Sequence, residues 1–102
     1  MKNLTTLLYS CNKDITPSGP VTRIEKAFTD FSSVETSGGL DVIFTFNNTE
    51  KVEIEANENI QSYITATKVG NKLAFKKRDN VNFASNAVVK IYISAKKINE
   101  II

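Results

Sequence analysis

The feature that most constrains the fold is the alternation of apolar and polar residues between Phe31 and Ala56. From 51 to 56 every second side chain is apolar, and charged residues stand between them. This period of two is typical of a strand with one buried and one wet face. The preceding segment is more apolar, with Leu40, Val42, Phe44 and Phe46 on one face. Residues 47–50 are polar, which predicts a β-hairpin.

The rest of the chain also favours short strands. Gly70-Asn71 suits the tight turn of a second hairpin, with Leu73 and Phe75 pointing inward. Residues 88–94 predict a last strand, and residues 58–63 predict one helical turn with Asn57 as its N-cap. A first strand is expected over residues 21–28. Its predicted inward side chains are Ile24 and Phe28. The predicted fold class is therefore all-β.

Size and charge limit the function. A chain of 102 residues has room for one domain, and 41% hydrophobic content argues against disorder. Residues 30–59 carry seven acidic residues and one lysine, whereas residues 60–102 carry eight basic and two acidic residues. Either acidic and basic strands pair across a sheet, or the basic half forms a patch for an anionic glycan or phospholipid surface. A net charge of +2 is too small to indicate a nucleic-acid partner.

The N-terminus holds the single cysteine. Lys2, a brief apolar run and Leu8-Tyr9-Ser10-Cys11 resemble the end of a bacterial lipoprotein signal, in which Cys11 would receive lipid. Residues 1–11 are thus read as a signal remnant, although Thr5-Thr6 interrupt a short apolar run and an ordinary free N-terminal segment is the alternative. Residues 12–20 contain two prolines and predict a linker. Residues 21–102 form the β domain.

Several segments together resemble the head GIN domain family of auto-transporter adhesins, found largely in Bacteroidota. They are FSSV at 31–34, SGGLDV at 37–42, VEIEANEN at 52–59, GNKL at 70–73 and VKIYI at 89–93. The resemblance covers about residues 20–102. It implies hairpins that lead into a right-handed β-helix or solenoid-like stack. The family domain is about twice as long, so we expect the N-terminal half of it here, with an open edge at Val88 to Ile102 that could pair with a second copy.

Catalytic chemistry is poorly represented. The chain has no histidine, which excludes a Ser-His-Asp triad and removes the commonest general base. No zinc site, glycine-rich phosphate loop or cofactor site is predicted. Glu53 and Glu55 have the spacing of a glycosidase pair, but alternating Glu is typical of a solvated strand face. Asp41 is expected to cap a turn. A ligand surface could be formed by aromatic and basic side chains: Tyr63, Lys76, Lys77, Arg78 and Tyr92.

The sequence and the resemblance together predict a non-enzymatic adhesion or interaction domain of an envelope lipoprotein, in the outer membrane or periplasm. Its partner would be a protein or glycan at the cell surface, and it would contact the membrane only through a lipid on Cys11. The alternatives are a polysaccharide-acting β-solenoid enzyme and an envelope structural or signalling partner.

Overall fold

The computed structural model describes residues 13–37 and 39–102, and this part of the chain is all-β, as predicted. Its strands are β1 (Lys13–Ile15), β2 (Val21–Lys26), β3 (Ser33–Thr36), β4 (Asp41–Phe46), β5 (Lys51–Asn57), β6 (Ile64–Val69), β7 (Lys72–Lys77), β8 (Val81–Phe83), β9 (Val89–Ala95) and β10 (Glu100–Ile101). One 3-10 turn spans Gln61–Tyr63. Within the described residues, no helix has the length and apolar character needed to cross a membrane.

The strands form two four-stranded sheets and one small pair. One sheet has the order β10-β3-β7-β6, the other has the order β2-β5-β9-β4, and β1 pairs with β8. Both large sheets mix parallel and antiparallel pairs. In the first sheet β7 is parallel to β3 and antiparallel to β6. In the second sheet β9 is parallel to β4 and antiparallel to β5. The solenoid-like stack that the resemblance implies stays a prediction.

The predicted hairpin between β4 and β5 is wrong, because β9 lies between them and pairs with both. Ile91 of β9 aligns with Val42 on one side and with Ile54 on the other, so its central place gives this apolar side chain two apolar cross-strand neighbours. The 47–50 loop crosses the end of β9 instead of closing a hairpin. The Ser94 hydroxyl donates to the Thr49 carbonyl oxygen at 2.8 Å and fixes this crossing.

The second predicted hairpin is confirmed, because β6 and β7 are antiparallel neighbours around Gly70-Asn71. Gly70 has a φ of +60°, a left-handed conformation that residues with a Cβ resist. The predicted helical turn is also present. Its N-cap is Ile60, without a side-chain bond, because the Asn57 Oδ1 instead accepts from the Val88 N–H at 2.7 Å.

One continuous core joins the sheets. Leu73 and Phe75 are buried as predicted, and they belong to the same cluster as Ile54 and Ile91. Phe28 packs against this cluster, but the predicted inward residue Ile24 is 41% exposed. It lies on β2, an edge strand that has a neighbour on one side only.

The described part of the predicted linker lies along the domain. β1 pairs with β8, and Ile15 is buried. The Asn59 side chain holds the segment that follows β1. Its Nδ2 donates to the Thr16 carbonyl oxygen at 2.8 Å, and its Oδ1 accepts from the Ser18 N–H at 2.7 Å. The backbone bonds of these residues are thus satisfied by the folded domain. The domain boundaries themselves stay a prediction.

The predicted open edge between Val88 and Ile102 is present only at β10, and pairing of that edge with a second copy stays a prediction. β9 contributes seven of the nine strand residues between Val88 and Ile102, and it is an interior strand with neighbours on both sides. Only the short β10 is at an edge, beside β3. A β9 edge is therefore unavailable for pairing with another chain, since both rows of its backbone groups are already bonded.

Candidate ligand-binding surface

Three of the predicted ligand residues meet where β7 ends. Tyr63 closes the 3-10 turn, and Lys77 is the last residue of β7. The Arg78 N–H donates to the Tyr63 carbonyl oxygen at 2.8 Å, which ties the end of β7 to the turn. β8 adds Phe83 to the group. We call these four residues, Tyr63, Lys77, Arg78 and Phe83, the basic–aromatic cluster.

The side chains of the cluster are held by rings and neutral oxygens. The guanidinium carbon of Arg78 lies 4.9 Å from the Tyr63 ring centroid, and its Nη2 donates to the Ser62 carbonyl oxygen at 3.1 Å. Tyr63 meets Phe83 edge to face, with centroids 6.4 Å apart. The Lys77 Nζ lies 5.8 Å from the Phe83 centroid and 3.5 Å from Asn82 Oδ1. Such cation–aromatic contacts orient the cation and lower its mobility.

The two other predicted ligand residues lie apart from the cluster. Lys76 forms a salt bridge with Asp79, with Nζ and Oδ1 3.1 Å apart. Tyr92 lies on β9, in the other large sheet. Its ring contacts Arg23 of β2, whose guanidinium carbon is 4.0 Å from the centroid. Cys11, the predicted lipidation site, lies outside the described residues.

Arg23 also holds the two candidate glycosidase carboxylates. Its Nη2 is 2.7 Å from Glu55 Oε1, and its Nη1 is 3.8 Å from Glu53 Oε1. The hydrogen bond to Glu55 raises the pKa of Arg23 above its ordinary value. Lys51 also lies within 3.9 Å of Glu53. The two glutamates are thus parts of an ion-paired sheet surface.

Strand pairing also answers the question posed by the uneven charge. Glu55 lies opposite Arg23 on one side and opposite Lys90 on the other. Glu35 of β3 lies 2.9 Å from Lys72 of β7. The acidic and basic halves of the chain are thus joined within the sheets by the Glu35–Lys72 ion pair and by the register of Glu55 with Lys90, whereas Arg23 belongs to neither half.

Two depressions adjoin the cluster, and both are lined by Lys77 and Asn82. One, of about 290 Å³, is mostly polar and lies along residues 76–82. The other, of about 280 Å³, is also mostly polar, and its lining includes Asp41 as well as the apolar residues Leu40, Phe83 and Val89. A larger depression of about 420 Å³ lies elsewhere, between residues 30–32, 48–50 and 95–97, and has acidic and basic side chains together.

The described residues contain no group of three or more metal-ligating side chains. Sequence reasoning did not assign Phe83 or Arg23 to a site. Phe83 gave a weak signal, as an aromatic residue in a polar stretch. Arg23 gave none, because its contact with Tyr92 depends on how β2, β5 and β9 are ordered in the sheet.

Comparison with known proteins adds the family. Residues 30–102 match a family described as "Putative auto-transporter adhesin, head GIN domain". The chain belongs to this family. The resemblance to the head GIN family drawn from the sequence is thereby confirmed for residues 30–102 of this chain. No curated protein sequence matches the chain.

Solved structures share the fold of this head GIN chain. A "putative adhesin" from Bacteroides fragilis is similar with a TM-score of 0.77 and 18% identity, over 85% of this chain and 41% of that one. A "putative adhesin" from Parabacteroides merdae is similar with a TM-score of 0.71 and 16% identity, over 87% of this chain and 37% of that one. A "putative lipid binding protein" from Parabacteroides distasonis has a TM-score of 0.74 and 18% identity, over 87% and 39%. The chain spans about two fifths of each.

Proposed function

We propose that this head GIN chain is a non-enzymatic interaction domain of a cell-envelope lipoprotein, and that it contacts a protein or glycan at the cell surface. The observation that carries the proposal is the basic–aromatic cluster. Two cations are oriented on aromatic rings beside open depressions, which is the arrangement of a binding surface. Membership of an adhesin family supports binding over catalysis.

The anchor in this proposal is a lipid on Cys11, which would place the domain at the outer membrane or in the periplasm. Protease shaving of intact cells and membrane fractionation test it. We expect wild type in the membrane fraction and a Cys11→Ala variant lost from it. Ser10→Ala keeps the thiol and is the matched control. If wild type and Cys11→Ala are both protected and cytoplasmic, the anchor and the surface role are both wrong.

The enzymatic alternative concerns Glu53 and Glu55. Because Arg23 is ion-paired with both carboxylates, the pair lacks the separate environments by which a glycosidase makes one acid and one nucleophile. We expect no release of reducing ends from mixed glycans. Turnover that Glu53→Gln abolishes would replace this proposal with the enzymatic one.

The remaining alternative is that the domain is a structural or signalling partner of another envelope protein. An assay of cell attachment distinguishes this role from adhesion. We expect purified domain to compete with intact cells for attachment to a glycan-coated surface. An Arg78→Gln domain should compete less well, because it lacks one of the two oriented cations. Equal competition by both domains would favour a protein partner bound at another surface.

A further inference from the structure

Lys77 and Arg78 of the basic–aromatic cluster form no salt bridge with a described carboxylate, although Asp41 and Asp79 each line one of the two adjoining depressions. Salt bridges within the described residues use Arg23, Lys51, Lys72 and Lys76. By contrast, the side chains of Lys77 and Arg78 contact the amide oxygen of Asn82 and the carbonyl oxygen of Ser62, and both oxygens are neutral. Two neighbouring positive charges therefore create a local field that attracts an anion.

The Arg78 side chain is prepared for a planar anion. A guanidinium has five N–H donors in a rigid fork, and the described structure uses one of them, on the Ser62 carbonyl. The remaining donors match the two oxygens of a carboxylate. Contact with the Tyr63 ring already limits the motion of the side chain, so less conformational entropy is lost when an anion binds.

The space beside these cations has two kinds of wall. Lys77 and Asn82 line both depressions; Arg78 and Asp79 line one of them, and Asp41 lines the other together with the apolar residues Leu40, Phe83 and Val89. At about 280–290 Å³ each, these depressions lie at or below the small end of the usual ligand-pocket range of about 300–1,000 Å³. The site thus suits one ring-sized unit that has a charged side and an apolar side.

We propose that the basic–aromatic cluster binds an acidic sugar unit of a polysaccharide. Arg78 and Lys77 contact the sugar carboxylate, and the wall beside Phe83 contacts the sugar ring. This inference rests on the proposed surface-binding function, because it names the ligand class of that surface. It adds Phe83 to the predicted residues and leaves out Lys76, which is paired with Asp79, and Tyr92, which lies in a different sheet.

Other anionic partners fit the cluster less well. Single-stranded nucleic acid needs open aromatic faces for base stacking, whereas the Tyr63 ring contacts both Arg78 and Phe83. An anionic bilayer needs a broad group of cations on one side, but Lys76 is paired with Asp79.

The test is a titration of the purified protein with a tetramer of galacturonic acid, followed by amide NMR shifts. The fully methyl-esterified tetramer is the matched ligand without charge. Arg78→Gln should weaken binding by at least about tenfold, as expected for loss of a charge-assisted contact. Lys77→Gln should weaken it less, because an ammonium is a point charge without the planar fork.

Arg23→Gln is the matched control, since it removes the other arginine that lies on a tyrosine ring. It should bind the tetramer like wild type. Thermal unfolding of each variant checks that weaker binding does not come from a lost fold. Shifts should centre on residues 62–63 and 77–84.

Three results would overturn the inference: equal binding of the methyl ester, equal loss of affinity in Arg23→Gln, or Arg78-dependent binding only to phosphatidylserine vesicles or to oligo(dT). Failure of the proposed function looks different. A cytoplasmic protein that still binds the tetramer through Arg78 would refute the envelope role and leave the sugar site in place.

Discussion

Two arginines of this protein each contact a tyrosine ring, and they differ in what else they touch. Arg23 lies 4.0 Å from the Tyr92 centroid and forms ion pairs with two glutamates. Arg78 lies 4.9 Å from the Tyr63 centroid and contacts a neutral backbone carbonyl. The charge of Arg23 is thus paired with carboxylates, whereas the guanidinium of Arg78 contacts only neutral groups.

Strand register explains the difference. Arg23 lies within β2, opposite Glu55 of β5, so the sheet itself supplies a carboxylate. Arg78 follows the last residue of β7, and the residue opposite it is Tyr63, which accepts its backbone N–H bond and supplies a ring but no carboxylate. A cation inside a strand ladder becomes part of the sheet, whereas a cation just past the ladder remains available to a ligand.

The largest effect on stability is expected from core substitutions. They test whether the Arg23–Tyr92 pair and the Arg78–Tyr63 pair belong to one cooperative folding unit. Ile54 lies beneath the sheet face that carries Arg23, and Leu73 lies on the strand that leads to Arg78. Both side chains are 0% exposed, and we would replace each with alanine. Each substitution should lower the free energy of unfolding by about 2–5 kcal/mol. NMR signals of Tyr92 and Tyr63 should disappear in one denaturant transition.

Two separate transitions in that experiment would mean that the two pairs lie on independently folding parts. Val69→Ala is the control, because Val69 is 74% exposed and its loss should change the unfolding free energy by less than about 0.5 kcal/mol.

A smaller effect comes from the rings themselves. Tyr92→Ala and Tyr63→Ala each remove a half-buried ring and should each lower the free energy of unfolding by about 1 kcal/mol. Only Tyr63→Ala should also weaken binding of the galacturonate tetramer, because Tyr63 orients Arg78. If Tyr92→Ala weakens binding to the same degree, the distinction between a structural pair and a ligand pair is wrong.

The smallest effect concerns the arginines and thermal stability. Arg23→Gln breaks partly exposed ion pairs, so it should lower Tm slightly at low salt and less in 1 M NaCl. Glu55→Gln should reproduce that salt dependence. Arg78→Gln should leave Tm unchanged at both salt concentrations. A salt-sensitive loss of Tm in Arg78→Gln would indicate a structural ion pair at the cluster.

How much the sequence could predict depended on how local the pairing is. The β6–β7 hairpin and the inward Leu73 and Phe75 follow from a two-residue turn and a period of two, and both are confirmed. The β4–β5 hairpin failed because a strand from far along the chain intervenes. The bond that fixes this crossing joins Ser94 and Thr49, which are 45 positions apart.

The same limit explains the site. Lys77 and Arg78 are adjacent in the sequence, so their common position could be predicted, and Tyr63 joins them through a backbone bond to Arg78. Tyr92 shares only its residue type with Tyr63, and its partner Arg23 becomes visible only when the strand order β2-β5-β9 is known.

Pairing of β1 with β8 limits how far a lipid anchor would let this domain travel. The Lys13 N–H donates to the Asn80 carbonyl oxygen at 2.7 Å, in the turn that follows Arg78. Cys11 precedes Lys13 by two positions, which an extended chain spans in about 7 Å. A lipid on Cys11 would therefore hold Arg78 close to the lipid headgroups. The distance that the domain could reach from the membrane would then be set by its 57 Å long axis. Such a protein would meet binding partners anchored in its own membrane before any on a neighbouring cell.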